Sequence, residues 1–71
     1  MPGSVYDVIE LVGTSKESWE EAAKAAVNMA AKSLRDLRIA EVVEQDMQLK
    51  DGKVEAYRTK MRLSFKYEGK D

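Results

Sequence analysis

The sequence predicts an α+β fold with the element order β-α-β-β: a three-stranded antiparallel sheet with one helix packed across one face. Three observations predict it. The chain opens on a short alternating apolar segment. An alanine-rich stretch with apolar residues every three or four positions follows. The second half is two alternating arms around Asp51-Gly52, a dipeptide that supplies the positive φ angles of a tight hairpin turn.

Residues 5–12 set Val5, Asp7, Ile9 and Leu11 on one side and Tyr6, Val8, Glu10 and Val12 on the other. This is a strand with apolar side chains on both faces. Gly13-Thr14-Ser15 is expected to end it. The helix is expected over 19–37. Ser18 and Glu21 fit a capping box, and Glu20 and Glu21 put negative charge at the positive end of the helix dipole. Trp19, Ala22, Ala23, Ala26, Val27, Ala30, Leu34 and Leu37 form the buried stripe, while Lys32, Arg35 and Arg38 complement the C-terminal end. Trp19, the only tryptophan, reads as packing against the sheet or a neighbour rather than as a stacking platform for a ligand.

The hairpin spans 39–67. Its arms are about a dozen residues each, roughly 40 Å at ~3.3 Å per residue, and the helix is too short to cover them. The overhang calls for a partner. With Asp51-Gly52 as a two-residue loop, Lys50 faces Lys53, Ala40 faces Leu63 and Val42 faces Met61, and these last four share the helix side with Phe65. Glu44 with Thr59 and Asp46 with Tyr57 continue that side toward the turn. The opposite side pairs Glu41 with Arg62, Val43 with Lys60 and Gln45 with Arg58, and also carries Ile39 and Met47.

The chain has 71 residues and reads as a single domain over 1–71, with 1–3 and 68–71 as loose termini. A domain this small buries little of its surface and is usually supported by disulfides, a metal or oligomerisation. There is no cysteine and no histidine. Disulfides and thiolate metal sites are therefore excluded, and the commonest metal ligand and general base are absent. Oligomerisation remains, with an oxygen-ligated cation as a possible addition. The net charge is −1 with 35% charged residues, which provides no basic footprint for nucleic acid. No apolar run of ~18 residues predicts a membrane span, and no segment reads as a signal peptide, so a cytoplasmic location is expected.

No nucleophile–base constellation stands out, and no catalytic residues are expected. The acids Asp7, Glu10, Glu41 and Glu44 show no spacing that singles out a pair. Glu44 and Asp46 are two residues apart on a strand, so both carboxylates leave one face. They are the metal-ligand candidates. A hard cation such as Ca²⁺ takes about six to eight oxygens, so several subunits would have to contribute. The competing reading is a solvated or ion-paired strand end. Arg58, Lys60, Arg62 and Lys66 alternate along the last strand. They form either an anion site or cross-strand and intersubunit pairs with Glu41 and Glu55, and lysines also protect edge strands.

The run Val8-Ile9-Glu10-Leu11-Val12-Gly13-Thr14-Ser15, the alanine-rich helix, Glu41-Val42 and the Asp-Gly hairpin ending in a basic-apolar strand resemble the dodecins over residues 4–67. The resemblance implies a hollow homododecamer and a non-enzymatic role: binding, storing or buffering a small ligand, for most members a flavin. It also implies where that ligand lies. The family's stacking tryptophan corresponds to Ile39, and its edge-reading glutamine to Arg58. Gln45, which faces Arg58 in the expected register, joins them as a ligand-face residue. Ile39 has no π face, and Arg58 donates hydrogen bonds but accepts none. Flavin binding is therefore expected to be weak or lost. Val42-Val43-Glu44-Gln45-Asp46-Met47, Ser18-Trp19-Glu20 and Ser64-Phe65-Lys66 are similar to the flavin-poor branch described as calcium dodecin. Two alternatives stay open: a riboflavin- or FMN-storing dodecin, and a purely structural assembly.

Overall fold

Strand β1 spans Tyr6–Ser15, helix α1 Trp19–Ala31, strand β2 Leu37–Lys50 and strand β3 Lys53–Lys66, in a computed structural model that describes residues 3–67. The expected loose termini lie outside the described residues, apart from Gly3. The three strands form one sheet in the order β1-β3-β2, and both pairings are antiparallel. The outer strands are thus parallel to each other. Parallel strands need a crossover, and α1 supplies it. Because β3 is central, its lysines and arginines do not protect an edge, and the edge-strand reading of them is corrected.

β1 runs further than expected. Gly13, Thr14 and Ser15 pair with Thr59, Arg58 and Tyr57 instead of ending the strand. The reason for Gly13 is close approach rather than turn geometry. A Cβ there would run into the carbonyl oxygen of Ala22 and stand 3.1 Å from Ala26 Cβ. The absence of a side chain lets α1 lie directly on the strand.

The helix is shorter than expected, ending at Ala31 rather than Leu37. The Ser33 and Leu34 amides donate to Ala30 O at 3.1 and 2.9 Å, and Asp36 takes φ 55° before β2 begins. Leu34 and Leu37 still pack on the core, but from the loop and the first position of β2. Their spacing therefore looks helical although their backbone is not. Lys32, Arg35 and Arg38 lie beyond the last turn, which holds no basic residue. At the other end Ser18 Oγ accepts from the Glu21 amide at 3.0 Å, the serine half of the expected capping box. The Glu21 carboxylate lies 3.5 Å from Lys24 Nζ.

The core is thin. Ala26 and Ala30 from α1 meet Met61 and Leu63 from β3, bordered by Ile9, Leu11, Ala23, Val27, Leu34 and Leu37, and Ala22 is buried over Gly13. Thr59 is fully buried, and its hydroxyl donates to the Trp19 carbonyl at 2.9 Å, so its burial is satisfied. Helix α1 lies over β1 and β3 and scarcely touches β2. Val42 stays exposed for that reason, although it shares the helix side.

Beyond the helix the hairpin projects, and the described chain measures 55 × 20 × 15 Å. Asp51 and Gly52 have φ of 52° and 75°, with Lys50 opposite Lys53, as the type I′ reading requires. Register holds at Ala40–Leu63, Glu41–Arg62 and Val42–Met61 and again at Leu49–Val54. Between these blocks it does not. An irregularity between Val42 and Glu44 inserts one residue into β2, and a second at Gln48–Leu49 cancels it. Glu44 therefore faces Lys60, Gln45 faces Thr59, Asp46 faces Arg58 and Met47 faces Tyr57. A slip of one residue exchanges the faces. Glu44 and Asp46 leave the helix side, where they were expected. Gln45 and Met47 move onto it.

Candidate functional site

The sheet face away from α1 carries the side chains that could recognise a ligand. Alternation brings Tyr6, Val8, Glu10, Val12 and Thr14 of β1 to this outer face, and Lys66, Ser64, Arg62, Lys60 and Arg58 of β3 stand opposite them in that order. From β2 come Ile39, Glu41, Glu44 and Asp46. Acids on both outer strands thus flank a central row of bases.

Glu10 is the hub. Its carboxylate receives Arg62 Nη2 at 2.8 Å and lies 3.7 Å from Lys60 Nζ. Arg62 also reaches Glu41 at 3.5 Å, and Lys60 reaches Glu44 at 3.9 Å. The two bases therefore tie β1 to β2 across β3. Arg58 makes a two-pronged pair with Asp46, Nε to Oδ1 at 2.7 Å and Nη2 to Oδ2 at 2.9 Å. The Arg62 hydrogen bond, with Lys60 nearby, holds the Glu10 carboxyl below the usual carboxylate range. The Arg58 hydrogen bond does the same for Asp46. The arginines are raised in return, Arg62 by its hydrogen bond to Glu10 and Arg58 by its hydrogen bond to Asp46. These groups are solvent-exposed, so the shifts express pairing, not burial.

Ile39 and Arg58 share this face. Ile39 is 60% exposed and stands opposite Ser64, with Val8 on the far side of Ser64. Arg58 is six residues from Ser64 along β3, roughly 20 Å at ~3.3 Å per residue. A small ligand touching both kinds of side chain would draw them from two copies of the chain. Gln45 is not brought together with them, since the β2 irregularity puts it on the helix side opposite Thr59. Glu10 was the residue sequence reasoning did not single out. Its signal was its place on the outer side of β1, readable only once β3 was known to lie between β1 and β2.

Trp19 is engaged in packing. Its indole N–H donates to the Asp46 carbonyl at 2.9 Å, and its ring meets Tyr57 edge-on, with centroids 5.0 Å apart. Both of Asp46's polar ends are therefore used, the carboxylate by Arg58 and the carbonyl by Trp19.

As a cation site, one chain offers too little. Among the described residues no group of three or more acidic side chains converges on a point. Asp46 has both oxygens on Arg58. Glu44 is better disposed as a donor, with its side chain 64% exposed and a 3.9 Å contact to Lys60 as its one ion pair among the described residues. A calcium ion's six to eight oxygens would have to come from several copies. No helix among the described residues is long and apolar enough to cross a membrane.

Comparison with known proteins places this geometry in a family. The dodecin family model matches residues 5–68. The chain is 49% identical over 63 residues to the calcium dodecin of Mycobacterium tuberculosis, covering 89% of each chain. It is similar in structure to the dodecin of Streptomyces coelicolor, with a TM-score of 0.89, 34% identity and coverage of 99% of this chain and 100% of that one. It is also similar to the crystal structure of the calcium-chelating immunodominant antigen calcium dodecin of Mycobacterium tuberculosis, which has a novel calcium-binding site. The TM-score there is 0.82, the identity 48% and the coverage 96% and 97%. An alanine-backed helix on a β1-β3-β2 sheet, a long overhanging hairpin and a family match over nearly the whole length lead to one conclusion: the chain belongs to the dodecin family.

Proposed function

We propose that this chain is a non-enzymatic, calcium-dodecin-like binding protein that works as a homododecamer, storing or buffering a hard cation or another small ligand, with flavin binding weak or lost. The observation that carries the reading is the Arg58–Asp46 pair on the outer face. At the position where the resemblance implies an amide that reads a flavin edge, the chain presents a charged fork already occupied by a carboxylate. Ile39, where the resemblance implies a stacking ring, offers apolar contact only. The exposed outer face and the overhanging hairpin support assembly, because each leaves apolar surface open, including Val8, Val12, Ile39, Leu49 and Val54.

The cation part rests on the relatedness to calcium dodecin and on Glu44, the acid with a loosely held carboxylate on this face. Asp46 would serve as a second ligand only by leaving Arg58. Native mass spectrometry tests both halves at once. The expected particle is twelve copies of the 8.0 kDa chain. Added calcium should appear as bound mass that Glu44→Gln reduces. A monomer or dimer, or calcium uptake unaffected by Glu44→Gln and Asp46→Asn together, overturns the corresponding half. A second reading keeps riboflavin or FMN as the ligand, clamped by Ile39 and Val8, which flank Ser64 as exposed apolar neighbours. Quenching of flavin fluorescence by the wild-type protein at micromolar concentration would favour it.

A further inference from the structure

The irregularity in β2 decides which residue Arg58 meets. An uninterrupted hairpin closed by Asp51-Gly52 would set the neutral amide of Gln45 opposite Arg58. The two register shifts, at Gln48/Leu49 and at Val42/Glu44, bound a block displaced by one residue and set Asp46 there instead. We infer that Asp46 is the selectivity-determining residue of the outer face: by holding both prongs of Arg58 it denies that guanidinium to phosphate- or carboxylate-bearing ligands. The inference rests on the outer face being the ligand face, as proposed above.

Three features single out this pair. Among the described residues, Arg58 has Asp46 as its one ion-pair partner, whereas Lys60 has Glu10 and Glu44, and Arg62 has Glu10 and Glu41. Losing one acid leaves Lys60 or Arg62 still paired, but losing Asp46 frees Arg58 completely. The pairing is two-pronged, which is also the way a guanidinium takes a phosphate. An incoming anion and Asp46 therefore compete for the same donors. Finally, Asp46 is fixed from behind, because the Trp19 indole N–H holds its carbonyl at 2.9 Å. The carboxylate stays at its post without help from burial.

FMN and riboflavin differ by one phosphate and serve as the probe pair. An Ile39→Trp background supplies an aromatic surface so that binding can be read by flavin fluorescence quenching at low salt. In that background Asp46→Asn, Arg58→Gln and the double variant are compared, with native mass spectrometry confirming the same particle for each. Asp46→Asn is expected to raise FMN affinity relative to riboflavin at least tenfold. The double variant should lose that preference, and raised salt should erode it. An unchanged FMN-to-riboflavin ratio in Asp46→Asn overturns the inference and leaves the ligand-face reading intact. If no member of the series quenches either flavin, the ligand-face reading fails and the inference falls with it. Tight FMN binding by the wild-type chain would overturn both the flavin-poor reading and the claim that Arg58 is withheld.

Discussion

The two faces of this sheet are built from the same three strands and do opposite work. The covered face is small, dry and close-packed: alanines and Gly13 let the helix approach, and Leu63, Met61 and Thr59 are almost wholly buried beneath it. The bare face is wide and wet, with seven charged side chains linked in rows and apolar residues exposed between them. The difference teaches where each property resides. Burial of apolar groups carries the free energy of the fold, whereas exposed ion pairs contribute little each and mainly fix geometry. Strand alternation separates the two, so a substitution at one position in β3 should affect stability and its neighbour should affect binding.

The sharpest way to break this division is Leu63→Ala. The side chain is 1% exposed, so the truncation should cost about 2–5 kcal/mol in urea unfolding. A cost no larger than that of a surface substitution would mean the covered face is not the seat of stability. Gly13→Ala should come next, at about 1–3 kcal/mol, because the added methyl meets the Ala22 carbonyl and forces the helix away from β1. Its signature is loss of thermal stability together with increased hydrogen exchange in α1. Thr59→Val keeps the volume and removes the hydroxyl that the Trp19 carbonyl accepts, for about 0.5–1.5 kcal/mol. A change in Trp19 fluorescence should accompany it, since the ring sits against Tyr57 beside that bond.

The bare face should respond to pH instead. The Glu10 and Asp46 carboxyls are lowered in the folded state, chiefly by hydrogen bonds from Arg62 and Arg58. Their contribution is therefore complete above the ordinary carboxylate values near ~4 and is lost as pH falls through the lower folded values. Melting temperature against pH should decline on the acid side, and Glu10→Gln should flatten that decline by lowering the neutral plateau slightly while leaving the acid limit nearly unchanged. An acid limit that drops as much as the plateau would show that Glu10 supports the core after all.

The element order, the hairpin turn and the buried stripe were legible because each depends on local signals. Asp51-Gly52 needs only its own φ preferences, and Ala22, Ala26 and Ala30 reveal their face by spacing alone. Two errors share one cause. Leu34 and Leu37 pack where helical residues would, so a pattern of burial could not reveal that the backbone had already left the helix. Gly13 looks like a terminator in the sequence because a glycine's need for space is set by what lies above it, here Ala22. The candidate site was legible in part. Ile39, Arg58, Glu44 and Asp46 do share one face, but they share it through a register shift that a regular hairpin does not contain, and the same shift removes Gln45.

The sequence by itself determined the strand-helix-hairpin order, the covered half of the sheet, the absence of thiol and imidazole chemistry, and the length by which the hairpin outruns the helix. These follow from periodicity, composition and length, which are properties of neighbouring residues. Only the tertiary structure decided that β3 is central, that Glu10 joins the charged row, and that Asp46 rather than Gln45 answers Arg58. Each of those depends on one strand's alignment against another. A single inserted residue in β2 reverses every side chain as far as the compensating shift, and no local preference in Val42-Val43-Glu44 records the insertion.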